Sequence, residues 1–132
     1  MAREPVVVQE STLEWEQTWP DEDVAERGLV YWKNLLGGDL TDSEALTMGI
    51  AKIPPSEALH QHRHQQAEIY LVLEGTGSIS IEGKTRPVAA GSAVFIPGNA
   101  THSIANTGAS DLRIACVFAA DSFEEVEYVF EG

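Results

Sequence analysis

This sequence predicts an all-β antiparallel fold, a jelly-roll barrel or sandwich, on three observations. After Gly28, short segments rich in β-branched and aromatic residues alternate with Gly, Asn, Asp and Pro every 8–12 residues or so. No segment of helical length separates the later ones, which argues against a parallel βαβ sheet. The chain has 132 residues, 43% of them hydrophobic, enough for one domain whose core needs no disulfide staples.

In chain order, residues 6–8 read as a short first strand. Ser11-Thr12-Leu13-Glu14 has the form of a capping box opening a short helix, which Pro20 and the acidic residues 21–23 interrupt. Strands are then expected over 29–36, 46–53, 69–73, 78–81, 85–88, 93–96, 102–105, 112–118 and 126–130. The turns between them are legible as Gly37-Gly38-Asp39, Pro54-Pro55-Ser56, Glu74-Gly75-Thr76-Gly77, Glu82-Gly83-Lys84, Ala90-Gly91 and Thr107-Gly108. We therefore expect a single domain over 1–132: an arm over 1–28 with a short helical segment, a barrel over 29–120 and a closing strand within 121–132. A closed jelly roll leaves a mouth where inward side chains can hold a ligand.

The formal charge of −13 argues against nucleic acid and anionic membranes as partners. One cysteine, Cys116, permits no intrachain disulfide and lies in an expected buried strand, where packing explains it. The N-terminus has no signal-peptide apolar core, so a cytoplasmic location is expected.

The chemistry concentrates in His62-Arg63-His64-Gln65-Gln66-Ala67-Glu68, together with His102 beyond the Pro-Gly-Asn turn. In a strand, side chains at i and i+2 share a face, so His62 and His64 can aim at one ion. Three neutral imidazoles and a carboxylate suit Fe(II), Mn(II), Zn(II), Ni(II) or Co(II), with coordination positions left for water or substrate. His60 repeats the spacing but lies further from Glu68, and it reads as a rim residue. Tyr70 follows Glu68 by two, which puts its phenol on the metal side. Gly75-x-Gly77 has no following helix and is a hairpin turn, not a phosphate loop. No Gly-x-Ser-x-Gly elbow is present.

These residues resemble the cupin superfamily. Its first motif, Gly-(x)5-His-x-His-(x)3–4-Glu-(x)6-Gly, is met by His62, His64, Glu68 and Gly75, with Ser56 in place of the leading glycine. Its second, Gly-(x)5-Pro-x-Gly-(x)2-His-(x)3-Asn, is met by Gly91, Pro97, His102 and Asn106, with Asn99 replacing the internal glycine. Asn tolerates positive φ, so that change is mild; the Ser56 change implies an altered turn.

More narrowly, the chain is similar to the small single-cupin dimethylsulfoniopropionate (DMSP) lyases of the DddK type. The similar stretches are Tyr31-Trp32-Lys33, Ala67-Glu68-Ile69-Tyr70, Gly98-Asn99-Ala100-x-His102 and 121–128. That resemblance implies a divalent metal on His62, His64, Glu68 and His102, with Tyr70 and Tyr128 as candidates for the catalytic base. It further implies a small carboxylate substrate contacted by Trp32, Tyr31 and Lys33, and a homodimer. Splitting DMSP into dimethyl sulfide and acrylate is a β-elimination that a Lewis-acidic metal and a tyrosine base can perform. Trp32, Tyr31 and Tyr128 can hold a sulfonium by cation–π contact. A non-haem Fe(II) dioxygenase, a sugar or keto-acid isomerase and a non-catalytic ligand-binding cupin remain open, because this superfold hosts many reactions.

Overall fold

A computed structural model describes residues 3–130; the outermost residues of the arm and of the closing segment, among them Glu131, lie outside the described residues. A 3-10 turn (Glu10–Thr12), strand β1 (Glu16–Gln17), a second 3-10 turn (Asp21–Asp23) and helix α1 (Val24–Arg27) form the arm. Strands β2 (Tyr31–Leu36), β3 (Thr47–Ile53), β4 (Ala58–Arg63), β5 (Glu68–Glu74), β6 (Thr76–Ile81), β7 (Lys84–Ala89), β8 (Ala93–Ile96), β9 (His102–Asn106) and β10 (Leu112–Phe118) follow. A 3-10 turn (Phe123–Glu125) and β11 (Val129–Phe130) close the chain. Among the described residues these strands make two antiparallel sheets, ordered β1-β2-β3-β10-β5-β8 and β11-β4-β9-β6-β7. The jelly-roll class is as expected, and β8 and β10 have the expected bounds. No helix among the described residues is long and apolar enough to cross a membrane.

Between the sheets, Ile53, Val72, Ile96, Ile104, Leu112, Ile114 and Phe118 are almost wholly buried. Withdrawing side chains of this size from water stabilises a fold by roughly 1.5–3 kcal/mol each before entropy is counted. Asn106 joins this core as a polar tie: its amide donates to the Ile53 and Ser110 carbonyls (2.9 and 2.8 Å) and accepts from the Gly108 N–H (2.8 Å).

The ends depart from expectation. Residues 6–8 form no strand. The capping box does not form, because Gln9 rather than Ser11 takes the cap position and the Thr12 hydroxyl donates back to the Gln9 carbonyl. Pro20 precedes helical turns instead of interrupting them, as its fixed φ of −59° suits the residue before a helix. The closing strand shrinks from 126–130 to Val129–Phe130.

Strand β4 was absent from the expected set, and it carries the decisive irregularity. Leu59 pairs with Ile104 and His62 with His102, so three steps on β4 oppose two on β9. This one-residue bulge turns both Leu59 and His62 inward and leaves His60 and Gln61 exposed. The turn before β4 keeps its shape. Ser56 adopts φ +69°, the left-handed conformation a glycine would take there, and the Glu57 N–H donates to the Pro54 carbonyl. The expected altered turn is thus corrected to a turn held in the same conformation by a serine. Asn99 likewise sits at φ +63°, as its substitution for glycine predicts, and its N–H donates to the His64 carbonyl (2.7 Å).

Candidate metal centre

Four separate elements deliver the polar cluster. His62 lies near the end of β4, His64 just beyond it, Glu68 at the start of β5 and His102 at the start of β9. All four side chains are only 1–2% exposed. Candidate ligand atoms of the three histidines lie within 4.8 Å of one another. A Glu68 oxygen, Oε1, is 3.0 Å from His64 Nε2 and 3.7 Å from His102 Nε2.

Backbone carbonyls set the tautomers. His62 Nδ1 faces the His60 oxygen (2.8 Å), His64 Nδ1 the Gln66 oxygen (2.9 Å) and His102 Nδ1 the Ala100 oxygen (2.9 Å). A carbonyl only accepts, so each Nδ1 carries a proton and each Nε2 is turned into the cluster, that of His64 within hydrogen-bond distance of Glu68 Oε1. Burial, then the neighbouring His102, pushes His62 down to about 2, which keeps it neutral. The Nε2 atoms of His62 and His102 have no hydrogen-bond partner although both are buried. Three ring nitrogens and a carboxylate oxygen therefore converge on one place. Buried polar atoms left without a partner, as on His62 and His102, are costly, and a cation is a group that would satisfy the whole set together. The donor set fits a borderline divalent metal.

His60 lies outside the cluster. It is exposed, and its Nδ1 bonds the Glu26 carbonyl of α1 at 2.9 Å.

Beside the cluster a small, enclosed, largely apolar cavity of about 20 Å³ is bounded by Glu68, Tyr70, Cys116, Trp32, Phe123 and Tyr128, among others. Tyr70 is 2% exposed, with its ring 6.2 Å from that of His102. Tyr128, just before β11, stacks on His62 at 5.0 Å because the Phe130–His62 pairing brings the closing segment across β4. Burial first, then the Glu68 carboxylate, pushes both phenols well above the ordinary tyrosine value. The same two causes raise the Cys116 thiol.

The aromatic wall differs from the expected one. Trp32 lines the cavity, stacked on Phe123 at 5.0 Å, and it fits only because position 49 is glycine: a Cβ there would strike the indole ring. Tyr31 and Lys33 do not line it. Strand alternation sends them to the other face of β2, where Lys33 pairs with Glu10 (2.9 Å) and Tyr31 meets Lys52 (5.1 Å). Their expected substrate contacts are corrected accordingly. Trp19, Thr18 and Phe123 were not foreseen as lining residues. They come from the arm and the acidic tail, where no local pattern marks a site.

A family model described as the cupin domain matches residues 49–118. The DMSP lyase DddW of Ruegeria pomeroyi is 41% identical over 103 residues, which span 78% of this chain and 67% of that protein. An oxalate-binding protein of Thermotoga maritima is 34% identical over 92 residues, 69% of this chain and 76% of that one. A solved structure from T. maritima, described as a predicted oxalate decarboxylase, superimposes with a TM-score of 0.75 at 30% identity and covers 87% of this chain and 99% of its own.

Proposed function

The chain belongs to the cupin family, and from that premise we propose that it is a divalent-metal-dependent lyase splitting DMSP into dimethyl sulfide and acrylate. One observation carries the reading: the three Nε2 atoms and Glu68 converge beside a small enclosed cavity lined by two phenols and an aromatic wall. The 41% identity to a DMSP lyase supports the choice of substrate.

His62, His64, Glu68 and His102 hold the ion in this reading. When bound, it supplies a Lewis acid for the substrate carboxylate and a charge that favours a nearby phenolate. Tyr70 takes the proton from the carbon next to the carboxylate, and Tyr128 is the second candidate for that role. The C–H electron pair forms the new double bond, and the C–S pair leaves with dimethyl sulfide. Trp32, Phe123 and Tyr128 offer ring faces to the sulfonium, and because the cavity between them holds only about 20 Å³, these walls must part to admit the substrate.

The test is incubation of metal-reconstituted protein with DMSP under nitrogen, with headspace detection of dimethyl sulfide. Equimolar acrylate and dimethyl sulfide are expected. No gas with Fe(II), Mn(II), Zn(II), Ni(II) or Co(II) overturns the substrate, and turnover that requires air moves the protein to the dioxygenases. A second reading, a small-carboxylate-binding cupin without turnover, is favoured by the relative named as oxalate-binding. It predicts saturable oxalate binding by calorimetry and no chemical product.

A homodimer belongs to the same proposal. The outer face of one sheet exposes Ile69, Leu71 and Leu73 on β5, with Phe95 directly paired to Ile69 on β8. A contiguous apolar face of this kind marks an interface in a soluble protein. Sedimentation of wild type against Ile69→Glu tests it, the variant being expected to run as a monomer. The buried, single Cys116 supports a reducing, cytoplasmic setting.

A further inference from the structure

A cleft of about 640 Å³ lies away from the metal cluster, where the two sheets part between β6, β7 and β8. Its floor is apolar. Ile79 and Val88 are buried there, and Ile81 and Val94 are half-buried. Over this floor stand Lys84 and Arg86 of β7, at i and i+2 on one strand face and so roughly 6–7 Å apart along the strand.

These two cations are unlike the others described. Arg3, Arg27, Lys33 and Arg113 each meet a carboxylate, and Lys52 lies over Trp15 and Tyr31. Arg63 is also engaged. Among the described residues Lys84 and Arg86 have no partner, although acidic residues outnumber basic ones 21 to 8 in this chain. The carboxylate nearest in sequence, Glu82, also lines the cleft, but its Oε1 accepts the Thr101 N–H at 2.7 Å. An acidic protein thus leaves two cations, unpaired among the described residues, on one wall of an apolar cleft.

We propose that this cleft binds an organic anion with an apolar body, in the class of medium-chain carboxylates. The carboxylate sits between Lys84 and Arg86, and the chain lies on Ile79, Ile81, Val88 and Val94. The volume falls within the ordinary range for small-molecule sites, about 300–1,000 Å³. The cleft is separate from the metal cluster but adjoins it: Ile81 pairs with His102, and Val94 with Tyr70. The test must therefore locate the ligand as well as detect it.

Zn(II)-loaded, 15N-labelled protein is titrated with octanoate, 1-octanol and octyltrimethylammonium below their micelle concentrations, and amide shifts are followed. Octanoate is expected to shift amides of β6–β8 saturably, with octanol much weaker and the cation inactive. The double variant Lys84→Gln/Arg86→Gln changes only exposed side chains and should bind octanoate at least ~10-fold more weakly, having lost its charge-assisted hydrogen bonds. Four results would each overturn the site: no saturable shift by ~1 mM, shifts centred on His62, Glu68 and His102 alone, unchanged affinity in the double variant, or octanol binding as tightly as octanoate.

Discussion

At the β4–β9 end of the interior, three imidazoles and a carboxylate are withdrawn from water, and each imidazole is fixed by a backbone carbonyl. At the β6–β8 end, Lys84 and Arg86 remain exposed over an apolar floor and have no partner among the described residues. The same sandwich supports both. Burial makes the difference, because a polar group removed from water must be satisfied by specific partners, and those partners set its tautomer and direction. The buried end therefore has one geometry, suited to one ion. The exposed end keeps charge without fixed geometry, which suits recognition of an anion more than chemistry on it.

The strongest way to sharpen this contrast is Tyr70→Phe. It should lower turnover of DMSP by ~10²–10⁴ while leaving metal content and the melting curve unchanged. Unaltered turnover would shift the base to Tyr128. Next comes the pair His62→Ala and His60→Ala, two residues apart on β4. Competition with a chromophoric chelator should show metal affinity falling by more than ~100-fold in the first and staying essentially unchanged in the second. Equal losses would break the assignment of the bulge as the device that separates them.

Gly49→Ala probes the cavity wall. The added methyl must displace Trp32, so thermal denaturation should show a loss of ~1–3 kcal/mol, together with weaker substrate binding. The smallest effect is expected at Glu10, which staples the arm to the barrel through Lys33 and Arg113 (2.9 and 2.6 Å). Its carboxyl is held below the usual 4.5, first by the Lys33 hydrogen bond and then by the charges of Arg113 and Lys33. A lowered folded value gives stability that is fully present above the unfolded value and lost as pH falls through the folded one. Glu10→Gln should therefore cost at most ~1 kcal/mol near neutral pH, and denaturation curves of variant and wild type should converge once the pH lies below that lowered folded value.

Much of the site was legible because its signals are local. The His-x-His spacing, the placed Glu68 and the glycine-like turn at Asn99 are short-range patterns, and each turned out to occupy the place its spacing implied. The strand carrying them was harder to read, since His60, Gln61, His62 and Arg63 have none of the β-branched character that marks β3 or β10. Tyr31 and Lys33 were misplaced for another reason. Adjacent residues in a strand face opposite ways, and only the packed sheet shows which of the two parities points inward.

By itself the sequence determined the class of fold, the four polar residues of the cluster and the turns that bring them near one another. These rest on residue chemistry and on periodicities that any extended chain obeys. Tertiary structure decided the rest. It set the bulge that turns His60 out and His62 in, and the backbone carbonyls that aim the three Nε2 atoms. It also closed the cavity with Trp19 and Phe123 from distant ends of the chain, and left Lys84 and Arg86 exposed over their cleft. Each of these depends on which surfaces meet across the two sheets, a matter of packing between residues far apart in sequence that no local pattern encodes.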